Sequence, residues 1–393
     1  MAITIHDQPQ LIAPASNPLV FTFSSDETAQ DNFSFIVEVF VDSTMILTQQ
    51  VFRQFNALSR IDVSGAIETY IRNTIPTTNL ELDATDSMVT YAIIVYEKYG
   101  DPAIIQASAT STTLKAFNGS LEYEDWINFD YAIYDPNQTQ DAFFLTFFPL
   151  TSKRLVGMDE NFYLAFFEQT AVASCDLNIE LLDISGTTIA TDFITLTATD
   201  FYILNVGPQV IIDNTSITQI DFDTCYRYVI SVSVQGVSFV GPINIYMDLA
   251  CQRYEPYRLH WLNKLGCWDS FTFGLVSTNT STLDSFDYER DPGVWSGNSY
   301  TYPLYSGQKI NYTKRKNKQL SLNSDWISED VQNWLVTSLY DSPVVYLERD
   351  NGTDFEIVKV TNKNYKLKTR RTDGLLQEEI LIERTYIYRS QLN

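Results

Sequence analysis

The sequence predicts a mainly β chain: two Ig-like/FN3-like β-sandwich domains followed by an α+β module with one amphipathic helix on an antiparallel sheet. Three observations carry this expectation. Short runs of Val, Ile, Thr, Tyr and Phe alternate with polar residues at period two along most of the chain, the pattern of half-buried strands. Turn residues separate these runs at the spacing of a sandwich. The longest stretch with helical spacing, 324–340, falls near the C-terminus. At 393 residues the chain exceeds one ordinary core. The expected divisions are a sandwich over 1–117, an ordered connection over 118–145, a second sandwich over 146–250 and the α+β module over 251–393.

In the first sandwich, 19–23 alternates. Phe33, Phe35, Val37, Val39 and Val41 then place an apolar side chain at every second position, and 45–52 returns after a turn. Between strands, Val63, Ala66, Ile67, Tyr70 and Ile71 have helical spacing, with Asp62 or Ser64 as N-cap. Strands at 89–99 and 104–114 complete the set. Residues 118–145 are polar but carry Trp and Tyr, which flexible linkers lack, so an ordered connection is expected. The second sandwich should contain strands at 143–148, 161–167, 177–182, 186–196, 201–206, 226–234 and 243–249. The sequences at 183–186 and 235–236 read as turns.

The C-terminal part differs. A strand at 275–288 ends in a turn at 290–293, and a basic cluster at 314–318 follows. In the helix, Ser328 suits the N-cap, and Glu329 and Asp330 suit a first turn whose dipole favours anions. Val331, Trp334, Leu335 and Leu339 form its apolar face, and Pro343 stops it. A hairpin at 344–349 and 355–360 turns at 350–353. A second hairpin pairs 365–371 with 376–388.

Charge is unevenly placed. Residues 1–250 hold 8 Lys+Arg against 31 Asp+Glu, and 251–393 hold 18 of each. The first fifty residues have no Lys or Arg. So acidic a surface argues against nucleic acid as the main ligand. Lys314, Arg315, Lys316 and Lys318, with Lys359, Lys363, Lys366, Lys368, Arg370 and Arg371, are the basic concentration. They read either as a solvated strand face or as a surface that docks on the acidic half of a neighbouring copy.

No catalytic constellation is legible. The four cysteines are widely spaced, no CxxC occurs, and the two histidines, His6 and His260, stand far apart. That excludes the usual zinc spacings. Neither a nucleophile elbow nor a phosphate-binding glycine loop is present. Asp83/Asp86, Asp221/Asp223 and 350–354 place acids close together but lack the calcium-loop pattern, and turns explain them. Carboxylates are numerous enough for a glycosidase pair about 5–9 Å apart, though none has a recognisable context. No enzyme activity, cofactor or metal is therefore expected. No apolar run reaches the roughly 18–20 residues of a membrane span, and the first residues lack the regions of a signal peptide.

The character of the chain changes around 254–273, where Tyr254, Tyr257, Trp261, Trp268, Phe271 and Phe273 cluster beside His260. The spacing fits two strands around a turn at 263–266. The aromatics fit a core or an interface; they also fit a platform for sugars. Trp261, Trp268, Phe271, Phe273, Lys314, Arg315, Lys316, Lys318, Trp326 and Trp334 are the candidate assembly residues.

The run Tyr257-Arg-Leu-His-Trp-Leu-Asn-Lys-Leu-Gly-Cys-Trp-Asp-Ser-Phe-Thr-Phe273 resembles a stretch in tail structural proteins of phages that infect Bacteroidetes, including crAss-like phages. Asp325-Trp-Ile, Trp334-Leu and 339–347 resemble the helix–strand segment that follows in the same proteins, and 19–21 and 62–64 resemble their N-terminal sandwich. The resemblance implies a virion structural protein: a homo-oligomeric ring, hub or distal-tail component around the DNA channel, assembled in the host cytoplasm against other tail or portal-vertex proteins. It implies no catalytic residues. The alternatives from other classes are a glycan-binding adhesin or receptor-binding protein and a glycan depolymerase.

Overall fold

Every second residue of 35–41 and of 89–97 faces inward, because strand side chains alternate faces and the apolar set gains by leaving water. The computed structural model describes residues 3–54, 58–135, 143–168, 175–234, 237–248, 253–349, 352–362 and 375–391. The first sandwich is built from β1 (Ile3–Asp7), β2 (Ile12–Pro14), β3 (Val20–Ser25), β4 (Ser34–Val41), β5 (Thr44–Val51), β6 (Leu58–Asp62), β7 (Met88–Tyr99), β8 (Ile104–Thr110) and β9 (Leu114–Phe117). One sheet has the order β1-β3-β6. The other has the order β2-β9-β7-β4-β5, with β8 also on β7 and β2 parallel to β9. Phe21, Phe23 and Ile61 from one sheet share a core with Phe35, Val37, Val39, Tyr91, Ile93 and Val95 from the other. This is an immunoglobulin-like sandwich. Helix α1 (Ser64–Ile67) and a 3₁₀ turn at Glu68–Tyr70 join β6 to β7. The Asp62 carboxylate accepts from Ser64 N at 3.0 Å at the helix start.

Where it is described, the connection carries short helical turns. Helix α2 (Tyr123–Ile127) is followed by a 3₁₀ turn at Tyr131–Tyr134. Phe129 packs 5.8 Å from Phe117 and stacks 6.1 Å from Tyr134.

The second sandwich repeats the connectivity of the first. Its strands are β10 (Arg154–Val156), β11 (Tyr163–Phe167), β12 (Cys175–Leu182), β13 (Thr188–Leu196), β14 (Phe201–Asn205), β15 (Arg227–Val234) and β16 (Val237–Met247). The order β10-β16-β15-β12-β13, with β10 parallel to β16, mirrors β2-β9-β7-β4-β5. The pair β11-β14 mirrors β3-β6. No described strand takes the place of β1. Instead, Leu145 N donates to Ala165 O on β11 at 2.8 Å. On the other side, 80–82 continues β14: Leu82 N donates to Ile203 O at 2.9 Å and Asn205 N to Leu80 O at 2.7 Å. Buried Phe166, Leu177, Ile179, Leu204, Tyr228 and Ile230 form the core.

One expectation fails here. Residues 143–148 form no strand; their backbone bonds scatter to Ile133, Phe144 and Ala165, so the apolar run lacks the continuous ladder a strand needs. Helices α3 (Pro208–Asn214) and α4 (Gln219–Thr224), to which the sequence reading assigns no element, lie between β14 and β15. Asp221 belongs to the capping box of α4 and bonds Thr218, which accounts for the acid pair 221/223. Among the described residues no cluster of His, Cys, Asp or Glu could hold a metal ion.

Asp192 accepts from Ser216 N at 2.6 Å, Ser216 Oγ at 2.7 Å and Phe193 N at 2.8 Å. These bonds, Ser216 N foremost, hold its carboxyl below the ordinary 3.8. A depressed folded-state value contributes stability that is full above the unfolded value and lost as pH falls through the folded one. Urea midpoints measured from about pH 6 down to about pH 2 should therefore fall less steeply for Asp192→Asn than for the parent.

The chain divides into two compact units, with both sandwiches in the first; the second comprises 250–260, 271–349 and 355–393. The division runs through β17 (Tyr257–Leu262) and β18 (Trp268–Phe273). The second unit also contains β19 (Thr278–Glu289), β20 (Val294–Ser296), β21 (Ser299–Thr301), β22 (Lys309–Asn323), β23 (Ile327–Ser328), helix α5 (Glu329–Leu339), β24 (Val345–Arg349), β25 (Asp354–Val360), β26 (Leu375–Leu376), β27 (Glu379–Arg384) and β28 (Tyr388–Arg389). The large sheet has the order β18-β17-β24-β25-β27-β22-β19, with β28 on β22. Ser328 caps α5, its hydroxyl accepting from Val331 N, and Val331, Trp334, Leu335 and Leu339 are buried. The start falls where Ser328 was expected to cap it, and of the residues just before it 327–328 pairs with β26. The expected strand 376–388 is divided: Ser324 N bonds Glu378 O, and Gln332 Nε2 bonds the Glu378 carboxylate at 2.8 Å. The expected strand 365–371, with its basic residues, lies outside the described residues.

Candidate assembly surface

Strands β19 and β22 pair antiparallel from Thr278↔Ser321 to Glu289↔Lys309, a ribbon about 40 Å long at roughly 3.3 Å per residue. At its base Leu320 and Leu322 are buried. Beyond them burial stops, and every residue of β19 except Phe286 is exposed. β19 is also the last strand in the sheet order, so its outer edge is of the kind that takes a further strand. The result is an arm.

The two faces of the arm differ in charge. Lys318, Lys316 and Lys314 stand opposite Ser281, Leu283 and Ser285, not opposite carboxylates. They continue outward the face that carries Leu320 and Leu322, since residues two apart share a face. On the other face Arg315 stands opposite Asp284, its guanidinium 5.0 Å from the Phe286 ring centre. β28 joins β22 at Arg315 and Lys316 and brings exposed Tyr386, Ile387 and Tyr388 alongside.

The tip is held by polar bonds and shows its aromatics to solvent. Gly293 has φ +109°, and a Cβ there would meet the Tyr300 ring at 2.5 Å and Thr301 O at 2.8 Å. Only glycine fits that turn. Ser306 Oγ accepts from Gly293 N and donates to Gly293 O, each at 3.0 Å, and Tyr300 OH donates to Pro292 O at 2.9 Å. Trp295 and Tyr300 pack edge to face at 5.0 Å. Trp295, Tyr302, Leu304 and Tyr305 are 72%, 72%, 104% and 82% exposed. Exposed apolar patches mark interaction surfaces.

The expected assembly residues fall into two groups. Trp261, Trp268, Phe273 and Trp334 are at most 6% exposed, so they are interior residues and not available to a partner as folded. Phe271 is half-buried, 5.0 Å from Phe273. Trp326, Lys314, Arg315 and Lys318 are exposed and Lys316 is half-buried. The burial of Tyr257, Trp261, Trp268 and Phe273 removes the sugar platform considered for 254–273.

The turn at 263–266 explains part of that burial. Asn263 Oδ1 accepts from Leu265 N and Cys267 N, and its Nδ2 donates to Leu145 O at 3.0 Å. Trp268 Nε1 donates to Thr74 O at 3.0 Å. His260 is wholly buried and bonds the Glu348 carboxylate, edge-on to Phe355 at 5.6 Å. Arg258 lies 3.8 Å from the same carboxylate and donates to Thr272 Oγ1 at 2.7 Å. The sequence sets His260 beside the aromatic cluster but gives no sign of Glu348, 88 residues away. The tip was also missed. Its signal is aromatics set among Gly, Ser and Pro at 293–307 without the alternation that a core strand needs.

No helix among the described residues is long and apolar enough to cross a membrane. No protein-family model and no curated protein matches the chain. Among solved structures, Dpr2 Ig1-Ig2 in complex with DIP-Theta Ig1-Ig3 is similar at 10% identity, over 80% of this chain and 94% of that one, with a TM-score of 0.18. The BSP domain of a biofilm associated protein is similar at 9% identity, over 82% of this chain and 63% of that one, with a TM-score of 0.16. The immunoglobulin-like description therefore rests on strand order.

Proposed function

We propose that this chain is a structural protein that associates with copies of itself through the arm. On the resemblance of 257–273 and 325–347 to phage tail proteins, it forms part of a symmetric tail ring or hub around the DNA channel in the virion, beside other tail or portal-vertex proteins. The observation that supports this reading is the arm: a long ribbon with an open edge, a lysine stripe and an apolar tip. A projecting arm that reaches a different surface on the next copy makes a heterologous contact, the kind that closes into rings. The acidic surface of the first 250 residues, with 31 Asp+Glu against 8 Lys+Arg, is a complementary target for the lysines.

Charge docking of this kind is salt-sensitive. Raising ionic strength from about 0.1 M to about 1 M shortens the screening length from about 10 Å to about 3 Å. Light scattering across that range should show assembly weakening; assembly indifferent to salt would sink the docking element. Glycan binding is the second reading, favoured by the exposed Trp295 and Tyr302 rings. Binding on a glycan array that Trp295→Ala abolishes would support it over self-association.

A further inference from the structure

We infer that the cavity beside β10 binds a carboxylate carried on an apolar body, with Arg154 gripping the carboxylate. The cavity measures about 1020 Å³ and is walled by Phe143, Phe147, Phe148 and Tyr246, with Arg154 in its lining. That is the scale of a small-molecule or peptide-end site. Arg154 is 6% exposed, and its Nη2 has no hydrogen-bond partner. The Phe148 ring centre lies 4.7 Å from its guanidinium carbon. The Asp269 carboxylate attracts it, and one oxygen of that carboxylate accepts from Thr146 Oγ1 at 2.9 Å. Burial pushes the guanidinium down to about 10.

A buried guanidinium with one nitrogen left unpaired is unfavourable, and an aliphatic side chain of similar length would pack without that cost. An anion entering the cavity supplies what is missing, and the planar guanidinium fork matches a carboxylate. Two further features narrow the ligand. The aromatic walls suit an apolar body. The acidic first 250 residues, with only 8 Lys+Arg, repel a multiply charged anion more than a single carboxylate. Two of those eight, Lys153 and Arg154, line this cavity. Lys153 Nζ lies 5.0 Å from the Tyr246 ring centre and donates to Tyr226 OH at 3.0 Å, adding positive charge.

The shared chemistry has two sources, a small organic acid or the free C-terminus of a peptide. Calorimetry on the full chain would compare hydrocinnamate with its neutral amide, and a short peptide ending in Phe with its amidated form. The acids should bind at least about tenfold tighter than the amides. Arg154→Met should erase that preference while melting at or above the parent temperature. Tighter binding of the peptide assigns the site to a chain terminus, and tighter binding of hydrocinnamate to a small acid. Equal binding of acid and amide, no binding of either acid, or a preference that survives in a folded Arg154→Met overturns the inference. The acid–amide comparison uses the parent chain and stays decisive if the variant misfolds.

Discussion

Replacing Trp295, Tyr302 and Tyr305 together by Ser is expected to abolish self-association and leave a folded chain. All three side chains are largely in solvent, so folding gains little from them, and surface changes of this kind usually move stability by about 0.5 kcal/mol or less. In an interface, large aromatics are the residues that dominate binding, at about 2 kcal/mol or more each. Three such losses amount to about four orders of magnitude in affinity. Sedimentation velocity reads the association and thermal melting reads the fold. An unchanged assembly, or a collapse in melting temperature, would show that the tip has a different role.

Trp268→Ala is expected to have the largest effect on folding stability, about 3–5 kcal/mol. The side chain is 1% exposed, and its indole N–H is bonded to Thr74 O at 3.0 Å. Truncation leaves both a cavity and an unpaired carbonyl. Trp268→Phe keeps most of the volume and should lose less, while Phe271→Ala, starting from a half-buried ring, should lose less than either. Urea midpoints at constant m-value measure all three. If Trp268→Ala were as stable as the parent, the burial of this residue would not be what fixes the hairpin.

Local pattern made much of this fold legible. The alternation at 33–41 and 89–99 could only be strands. The Asn263–Gly266 turn carries its own signals, a side chain that bonds two backbone N–H groups and a glycine at φ +77°. Ser328, Glu329 and Asp330 placed the start of α5 within its own first turn. What was hidden depends on distant partners. The run 143–148 has the composition of a strand, and only the absence of a pairing ladder makes it the wall of a cavity. The second sandwich repeats the strand order of the first without repeating its residues, so no sequence periodicity announces it. Trp261 and Trp295 are equally aromatic in the sequence. One lies in a strand whose every residue is buried, and the other in a tip held by Gly293 and Ser306. Local composition does not separate them; burial depends on the partners each one meets in the fold.

The most direct test of the central claim is sedimentation of the full chain over a concentration series at low salt, beside a variant whose tip, 294–305, is replaced by a short turn. The arm reading expects the parent to grow with concentration into a species of fixed size, visible as closed rings by negative stain, and the variant to remain monomeric. A parent that stays monomeric at every concentration, or a tipless variant that assembles equally well, would contradict it.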